Sequence, residues 1–409
     1  MIYPEPMVSF LPFDGLIPKL GADEDISSRV SPPYDVIEEE EKKNLQSKPF
    51  NITRITLGRI DGQYANAAEE LTHWIKKGKL RRRGKESFYI YRQSFKESGK
   101  ELTRIGLMGR LRLEPYENGN IMPHEETSPK VKEDRLNLLR ATSSHLESIF
   151  GICDQLETQT LHLIKEESKE VFRFSDPNGI THSFSMLEDP GSIKTLTSSL
   201  SKRKILIADG HHRYETALRY SMENPRDEEK KFILATIVAS NDPGLIIRPT
   251  HRLLRSEGFA AERFLATASN DFGIWEMKDY NELEMVMNRS KRVILGVVLQ
   301  DGRIYALEHL KDPNESPLWS VDAYVCEKSI IGKALQSSGT ETPIKVEYDH
   351  DLESVEKKMA LGQFHVAIIL SPPKLDVIWK VAREGMKMPK KSTYFWPKIW
   401  SGFVVYQMR

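Results

Sequence analysis

Apolar positions along the chain fall into short runs and alternating stretches separated by turn residues. Ser87–Phe95 and Thr103–Leu113 alternate apolar and polar side chains on either side of Ser98-Gly99-Lys100, which predicts a β-hairpin. Phe232–Ala239 is a continuous apolar run, as a buried strand is. Arg292–Leu299 and Ile304–Leu307 flank Asp301-Gly302, a second hairpin signal. Val366–Leu370 reads as a buried strand, Pro372-Pro373 ends it, and Leu375–Ala382 has helical spacing. Asn51–Thr56 alternates as a strand, with Asn51 and Thr53 on one face and Arg54 on the other. Strand and helix signals interleave through most of the chain. The expected fold class is therefore mixed α/β (α+β) with mixed sheets.

Glu114–Asp134 and Asp176–Gly191 are rich in Pro, Gly, Ser and charge and read as loops. Divisions near residues 150 and 310 would give regions 1–150, 151–310 and 311–409; one compact unit with inserted loops fits the pattern equally. The 409 residues carry 59 basic and 59 acidic side chains, so the chain lacks the basic excess of a general nucleic-acid binder. The local basic run from Lys76 to Lys85 follows an amphipathic helix pattern and reads as a solvated helix end. Cys153 and Cys326 sit in no disulfide or zinc spacing, which suits a reducing, cytoplasmic setting. Met1–Gly15 has no basic segment leading into an apolar core, so no signal peptide is expected there. No apolar run approaches the ~18 residues that span a bilayer. Nothing in the sequence sets the oligomeric state.

The sharpest chemical signal lies at 205–218. The apolar run Ile205-Leu206-Ile207 ends in Asp209, Gly210, His211, His212 and Arg213, and helical spacing resumes with Tyr214, Ala217 and Leu218. This is strand, glycine turn, helix. A helix start offers unpaired N–H groups and partial positive charge. Two histidines and an arginine added there suit an anion such as phosphate. A solvated helix cap is the competing reading; the abrupt end of a buried strand, where α/β proteins bind ligands, favours a site.

Three further clusters invite chemistry. His124 and Glu125 stand side by side in an irregular segment, followed by Asp134 and Arg135, and suit general-base work or, more simply, a charged surface loop. Pro32-Pro33 is a rigid turn that presents Tyr34 and Asp35. Lys391, Ser392 and Lys398 lie in a basic, hydroxyl-rich and aromatic segment that can bind phosphate. Pro249-Thr250-His251-Arg252 is a weaker anion candidate.

Taken in order, Pro-Pro-Tyr-Asp-Val-Ile (32–37), Pro-His-Glu-x-Thr (123–127) with Asp134-Arg135, Ala-Asp-Gly-His-His-Arg-Tyr-Glu-Thr-Ala-Leu (208–218) and Lys-Ser-Thr-Tyr-Phe-x-Pro-Lys (391–398) resemble the Domain of Unknown Function 1015 family. The Asp209–Arg213 element also resembles the nucleotide-site motif of the ParB and sulfiredoxin superfamily. It is most similar to that of its free serine kinases, which phosphorylate the hydroxyl of serine from a nucleotide or pyrophosphate donor. Where sulfiredoxins carry a reactive Cys this chain has His211, which argues against their redox chemistry. The arginine-rich phosphate loop of ParB proteins is absent, which argues against DNA partitioning.

The resemblance implies a small-molecule phosphotransferase, with a small-molecule acceptor and a phosphate donor as partners and no membrane. Phosphoryl transfer needs positioning and charge neutralisation above all. Gly210, His212, Arg213, Lys391, Ser392 and Lys398 are the expected phosphate ligands, and Tyr34, Asp35, His124 and Arg135 the expected substrate contacts. Asp209, Glu125 and His211 are the expected catalytic groups. A Mg²⁺ is expected on the donor phosphates, with no metal site made of protein ligands alone. Two other readings use the same anion site: a phosphatase acting on a small phosphorylated acid, and a nucleotide-binding regulator without turnover.

Overall fold

The hairpin expected around Ser98-Gly99 forms: Phe88–Glu97 and Lys100–Arg112 pair antiparallel from Glu97↔Lys100 onward. Ser98 and Gly99 make the turn at positive φ (49° and 76°), the backbone twist that suits a two-residue hairpin loop. The second hairpin also forms, with Ile294–Leu299 and Ile304–His309 joined through Asp301-Gly302. The structure, a computed structural model, describes residues 8–58, 64–157, 160, 163–164, 168–311, 313–336 and 344–409. The architecture is mixed α/β, with parallel and antiparallel strand pairs.

The chain divides into two compact units rather than three consecutive regions. The first is Met1–Pro123, Thr127–Ile246 and Pro397–Arg409; the second is His124–Glu126 and Ile247–Trp396. A cut at 150 would fall inside the strand Ile149–Cys153, whose neighbours come from 205–209 and 232–239. Sequence composition marks loops, whereas these boundaries are set by pairing between distant segments.

In the first unit, strands follow the order Ile121–Met122, Ile205–Asp209, Ile149–Cys153, Phe232–Ala239, Lys100–Arg112, Phe88–Glu97, Thr181–Leu187 and Lys169–Ser175. Phe232–Ala239 is buried at every position, as its unbroken apolar run requires. The helix Ala65–Lys76 buries Ala67, Leu71 and Trp74 in a cluster with Leu16, Ile52 and Leu138. The second unit is built on an antiparallel sheet in the order Phe272–Met277, Ile304–His309, Ile294–Leu299, Val366–Ile369, His251–Arg255 and Lys345–Asp349. The helices Tyr280–Arg289 and Leu352–Ala360 contribute Leu283, Val355 and Met359 to its core.

Two expectations fail for local reasons. Asn51–Thr56 is not a strand; Thr53–Thr56 is a helical turn. The Asn51 side chain accepts from the Thr53 N–H at 3.0 Å and from its hydroxyl at 2.7 Å, and a local side-chain-to-backbone turn of this kind overrides alternation. Asp176–Gly191 is not a loop throughout. Its turn is confined to the start, where the Asp176 carboxylate accepts from the N–H groups of Asn178 and Ile180. Thr181–Leu187 then returns as a strand antiparallel to Lys169–Ser175. Cys153 and Cys326 are buried free thiols. Among the described residues no helix is long and apolar enough to cross a membrane.

Candidate functional site

The strand Ile205–Asp209 and the helix His211–Glu223 form as the hydrophobic pattern predicts, with Gly210 between them. Gly210 sits at φ 92°, a left-handed conformation that favours glycine. A Cβ there would lie 3.0 Å from Ile149 Cγ2 and 3.1 Å from Arg213 Nε, so a side chain would also have to push those neighbours aside by a few tenths of an ångström. Just before it, the register against Ile149–Cys153 shifts between Ile207 and Asp209. A bulge of this kind re-aims the next side chain, here the Asp209 carboxylate at the strand's end.

Asp209 is the centre of a charged cluster within the first unit. Its Oδ2 accepts from Lys398 Nζ at 2.7 Å, and Arg213 Nη2 stands 3.6 Å from Oδ1. Burial pushes the Asp209 carboxyl up, but Lys398 and Arg213 outweigh it and hold the group well below the usual carboxylate range. Arg213 Nη1 also donates to the Ser148 carbonyl at 2.5 Å. Burial works against its charge, and Glu147 and Asp209 overcome that and keep it firmly protonated.

Glu147 escaped the sequence reading because it lies in a polar stretch with no motif around it. It is buried, at 7% exposure, and its Oε1 accepts from the Tyr34 N–H at 3.2 Å. Arg135 stacks over the Tyr34 ring at 4.5 Å and donates to Asp134 and to the Thr56 carbonyl. Asp35 is exposed beside them. Arg135, Glu147 and Arg213 line a small cavity of about 40 Å³, with room for a water. Burial raises the Glu147 carboxyl, with Arg213 and Arg135 only partly opposing it. A carboxyl raised in the folded state gives stability that is complete below its ordinary value of 4.5 and shrinks as pH climbs past it. Glu147→Gln removes that dependence and keeps an acceptor for Tyr34. Urea unfolding should therefore show the variant gaining on wild type between pH 4 and pH 8; a constant difference across that range would contradict the assignment.

The two histidines divide. His211 is buried and lies close enough to Asp209 to help depress its carboxyl. His212 Nε2 accepts the Ser128 N–H at 2.8 Å, so that nitrogen is unprotonated and ties the 127–132 segment to the helix. Thr127 and Lys132 reinforce the tie through Glu215, each at 2.8 Å.

The remaining expected residues belong to the second unit. His124 is fully buried, with Nε2 2.9 Å from the Thr393 hydroxyl. Glu125 Oε1 accepts the Lys391 N–H at 2.7 Å, and Lys391 is exposed at φ 61°. Ser392 turns its buried hydroxyl onto the Pro389 carbonyl at 2.6 Å, closing a turn. The 391–398 segment is thus shared, with Lys391–Trp396 in the second unit and Lys398 in the first. His251 and Arg252 lie in a strand of the second sheet rather than in an anion loop. Among the described residues, no three His, Cys, Asp or Glu side chains gather as metal ligands.

Fold and site together define a mixed α/β protein with a half-buried carboxylate, cation-paired, at a strand-to-helix turn. The chain belongs to the family described as protein of unknown function (DUF1015), whose model matches residues 10–324. No curated protein matches it. Similar solved structures include a conserved hypothetical protein from Pyrococcus furiosus, at 13% identity, covering 71% of this chain and 93% of that one, with a TM-score of 0.37. A free serine kinase in complex with AMP is 13% identical, with 68% and 84% covered and a TM-score of 0.37. SbnI from Staphylococcus aureus, truncated at its C-terminus, is 12% identical, with 71% and 85% covered and a TM-score of 0.37.

Proposed function

We propose that this protein transfers a phosphoryl group from a nucleotide or pyrophosphate donor to a small hydroxyl acceptor, with free serine as the first candidate. The observation that carries the reading is the Lys398–Asp209–Arg213 cluster at the start of the His211–Glu223 helix. Two cations held on one carboxylate beside a helix N-terminus form an anion receptor with its own counter-charge in place. The acceptor is named from the likeness of Asp209–Arg213 to the serine kinase element.

Incoming phosphates compete with Asp209 for Lys398 and Arg213. As they take over those cations, Asp209 loses the partners that depress it and gains a negative neighbour, and its proton affinity rises. The acceptor oxygen bonds to the terminal phosphorus of the donor. The bond from that phosphorus to the bridging oxygen breaks, the bridging oxygen leaves with the electron pair, and the hydroxyl proton passes to Asp209. Donor binding thereby prepares the base. A Mg²⁺ bound by the donor phosphates would neutralise their charge.

The test is radiolabelled ATP or pyrophosphate incubated with serine and related hydroxy acids, beside calorimetric titration of each donor. Labelled phosphoserine supports the reading. Release of labelled phosphate alone makes the protein a phosphatase, and tight binding without turnover makes it a regulator. Arg213→Lys keeps the charge but loses the fork that reaches both Ser148 and Asp209. It should weaken pyrophosphate binding roughly tenfold, about one charge-assisted hydrogen bond; unchanged affinity would remove Arg213 from the phosphate site.

A further inference from the structure

Lys398 reaches Asp209 from a segment with no regular structure at that point, and something must hold its backbone still. Across three neighbouring strands His182, Gln93 and Arg104 stand in one row, with His182 opposite Gln93 and Gln93 opposite Arg104. Residues in register share a face. All three are at most 1% exposed, an unusual burial for such polar side chains.

Each touches a successive part of the Pro397–Trp400 stretch. Arg104 Nη2 donates to the Pro397 carbonyl and to Gln93 Oε1. Gln93 Nε2 donates to the Lys398 carbonyl at 2.8 Å. The His182 ring lies 4.7 Å from that of Trp400. Just beyond, Ser401 exchanges backbone hydrogen bonds of 3.1 and 2.9 Å with Ser31, beside the Tyr34–Asp35 turn.

We propose that Gln93 and Arg104 are positioning residues that fix the Lys398 backbone so that its ammonium is delivered to Asp209 and, on the reading above, to the donor phosphate. A cation wholly removed from water is a costly way to fill a core, and an apolar side chain of similar volume is often as stable or more so. Among the described residues, Arg104 Nε and Nη1 have no hydrogen-bond partner. Its two acceptors give the expense a purpose: one guanidinium group holds the Pro397 carbonyl directly and the Lys398 carbonyl through Gln93. Gln93 is the link, since it accepts from Arg104 and donates to Lys398.

Two measurements on the full chain test this. Acetic anhydride labelling followed by mass spectrometry reads the reactivity of Lys398, with Lys230, ion-paired to Asp227 elsewhere in the same unit, as internal reference. Calorimetry reads pyrophosphate affinity. Gln93→Met should raise Lys398 labelling relative to Lys230 by roughly fivefold to tenfold and weaken pyrophosphate by a similar factor, the size of one lost buried hydrogen bond. Arg104→Met should do more, and Arg104→Lys, which keeps a charge and one donor direction, should fall between it and wild type. A purely structural role would raise labelling of both lysines together. If Arg104→Met does not fold, Gln93→Met carries the test alone. A folded Gln93→Met protein with Lys398 labelled as in wild type overturns the proposal. Should wild type fail to bind pyrophosphate while Gln93→Met still frees Lys398, the phosphate reading falls and the clamp stands.

Discussion

Asp209→Asn should lower turnover by roughly 10²-fold or more, the scale of lost acid–base assistance, while donor binding becomes no weaker than wild type. The combination is diagnostic. Asp209 occupies the cations that the proposed donor would need, with Lys398 at 2.7 Å and Arg213 at 3.6 Å. Removing its charge takes away a competitor for binding and the proton acceptor for chemistry. A metal or phosphate ligand lost at the same position would weaken binding as well. Single-turnover transfer from labelled donor, read beside calorimetry with pyrophosphate, separates the two; a variant impaired in binding alone would defeat the base assignment. Asp209 is depressed in the folded state, so its contribution to stability is complete above its ordinary 3.8 and is lost only as pH falls below that value. Neutral-pH comparisons of the variant are therefore free of a shifting wild-type baseline from this group.

Arg213→Met carries the largest expected effect on stability. Arg213 stands 3.6 Å from Asp209, lines the same cavity as Glu147, and is 13% exposed at its side chain. Removing it takes one cation from each carboxylate, leaving Lys398 with Asp209 and Arg135 with Glu147. Loss of one partner from such a pair costs roughly 3–5 kcal/mol, readable as a lower urea midpoint with an unchanged slope. Adding Glu147→Gln to it should recover part of the loss, since one of the two carboxylates that lost a cation is then neutral. A single-variant loss under about 1 kcal/mol, typical of exposed ion pairs, would show that the cluster is solvated and not the receptor described above.

Much of this was written locally in the chain. Ile205–Ile207 followed by Asp209-Gly210 and resumed helical spacing announced the turn, because a buried strand, a positive-φ glycine and an amphipathic helix each leave a short-range mark. The hairpins at Ser98-Gly99 and Asp301-Gly302 were legible for the same reason. Gln93 and Arg104 were not. Arg104 falls in phase with Arg110 and Arg112, a polar phase that alternation assigns to solvent, whereas Gln93 falls in phase with Tyr89, Tyr91 and Phe95, where a single polar residue gives no sign of its partner. That face is covered in part by the Pro397–Ser401 stretch, distant in sequence, with Phe150 over Arg104 and Phe174 beside His182. Glu147 was hidden likewise, and His212 gave no sign that one of its nitrogens would accept the Ser128 N–H. The partition of Lys391–Lys398 between two units also lies beyond local patterning, since it depends on which distant carbonyls and carboxylates each residue meets.

That partition has a consequence for how the molecule is made. The ribosome releases residues in order, and domains generally fold as their segments emerge. Here the Ile205–Asp209 strand and its helix leave early, but the lysine that completes their charge balance follows every residue of the second unit. Until then the nascent first unit holds Asp209 short of one cation and Arg104 short of one acceptor. The cluster cannot be completed until Pro397 and Lys398 arrive, so premature termination between residues 247 and 396 yields a protein with Asp209–Arg213 intact and the charged cluster around Asp209 incomplete. A chain ending at residue 324, where the family match stops, is one such product.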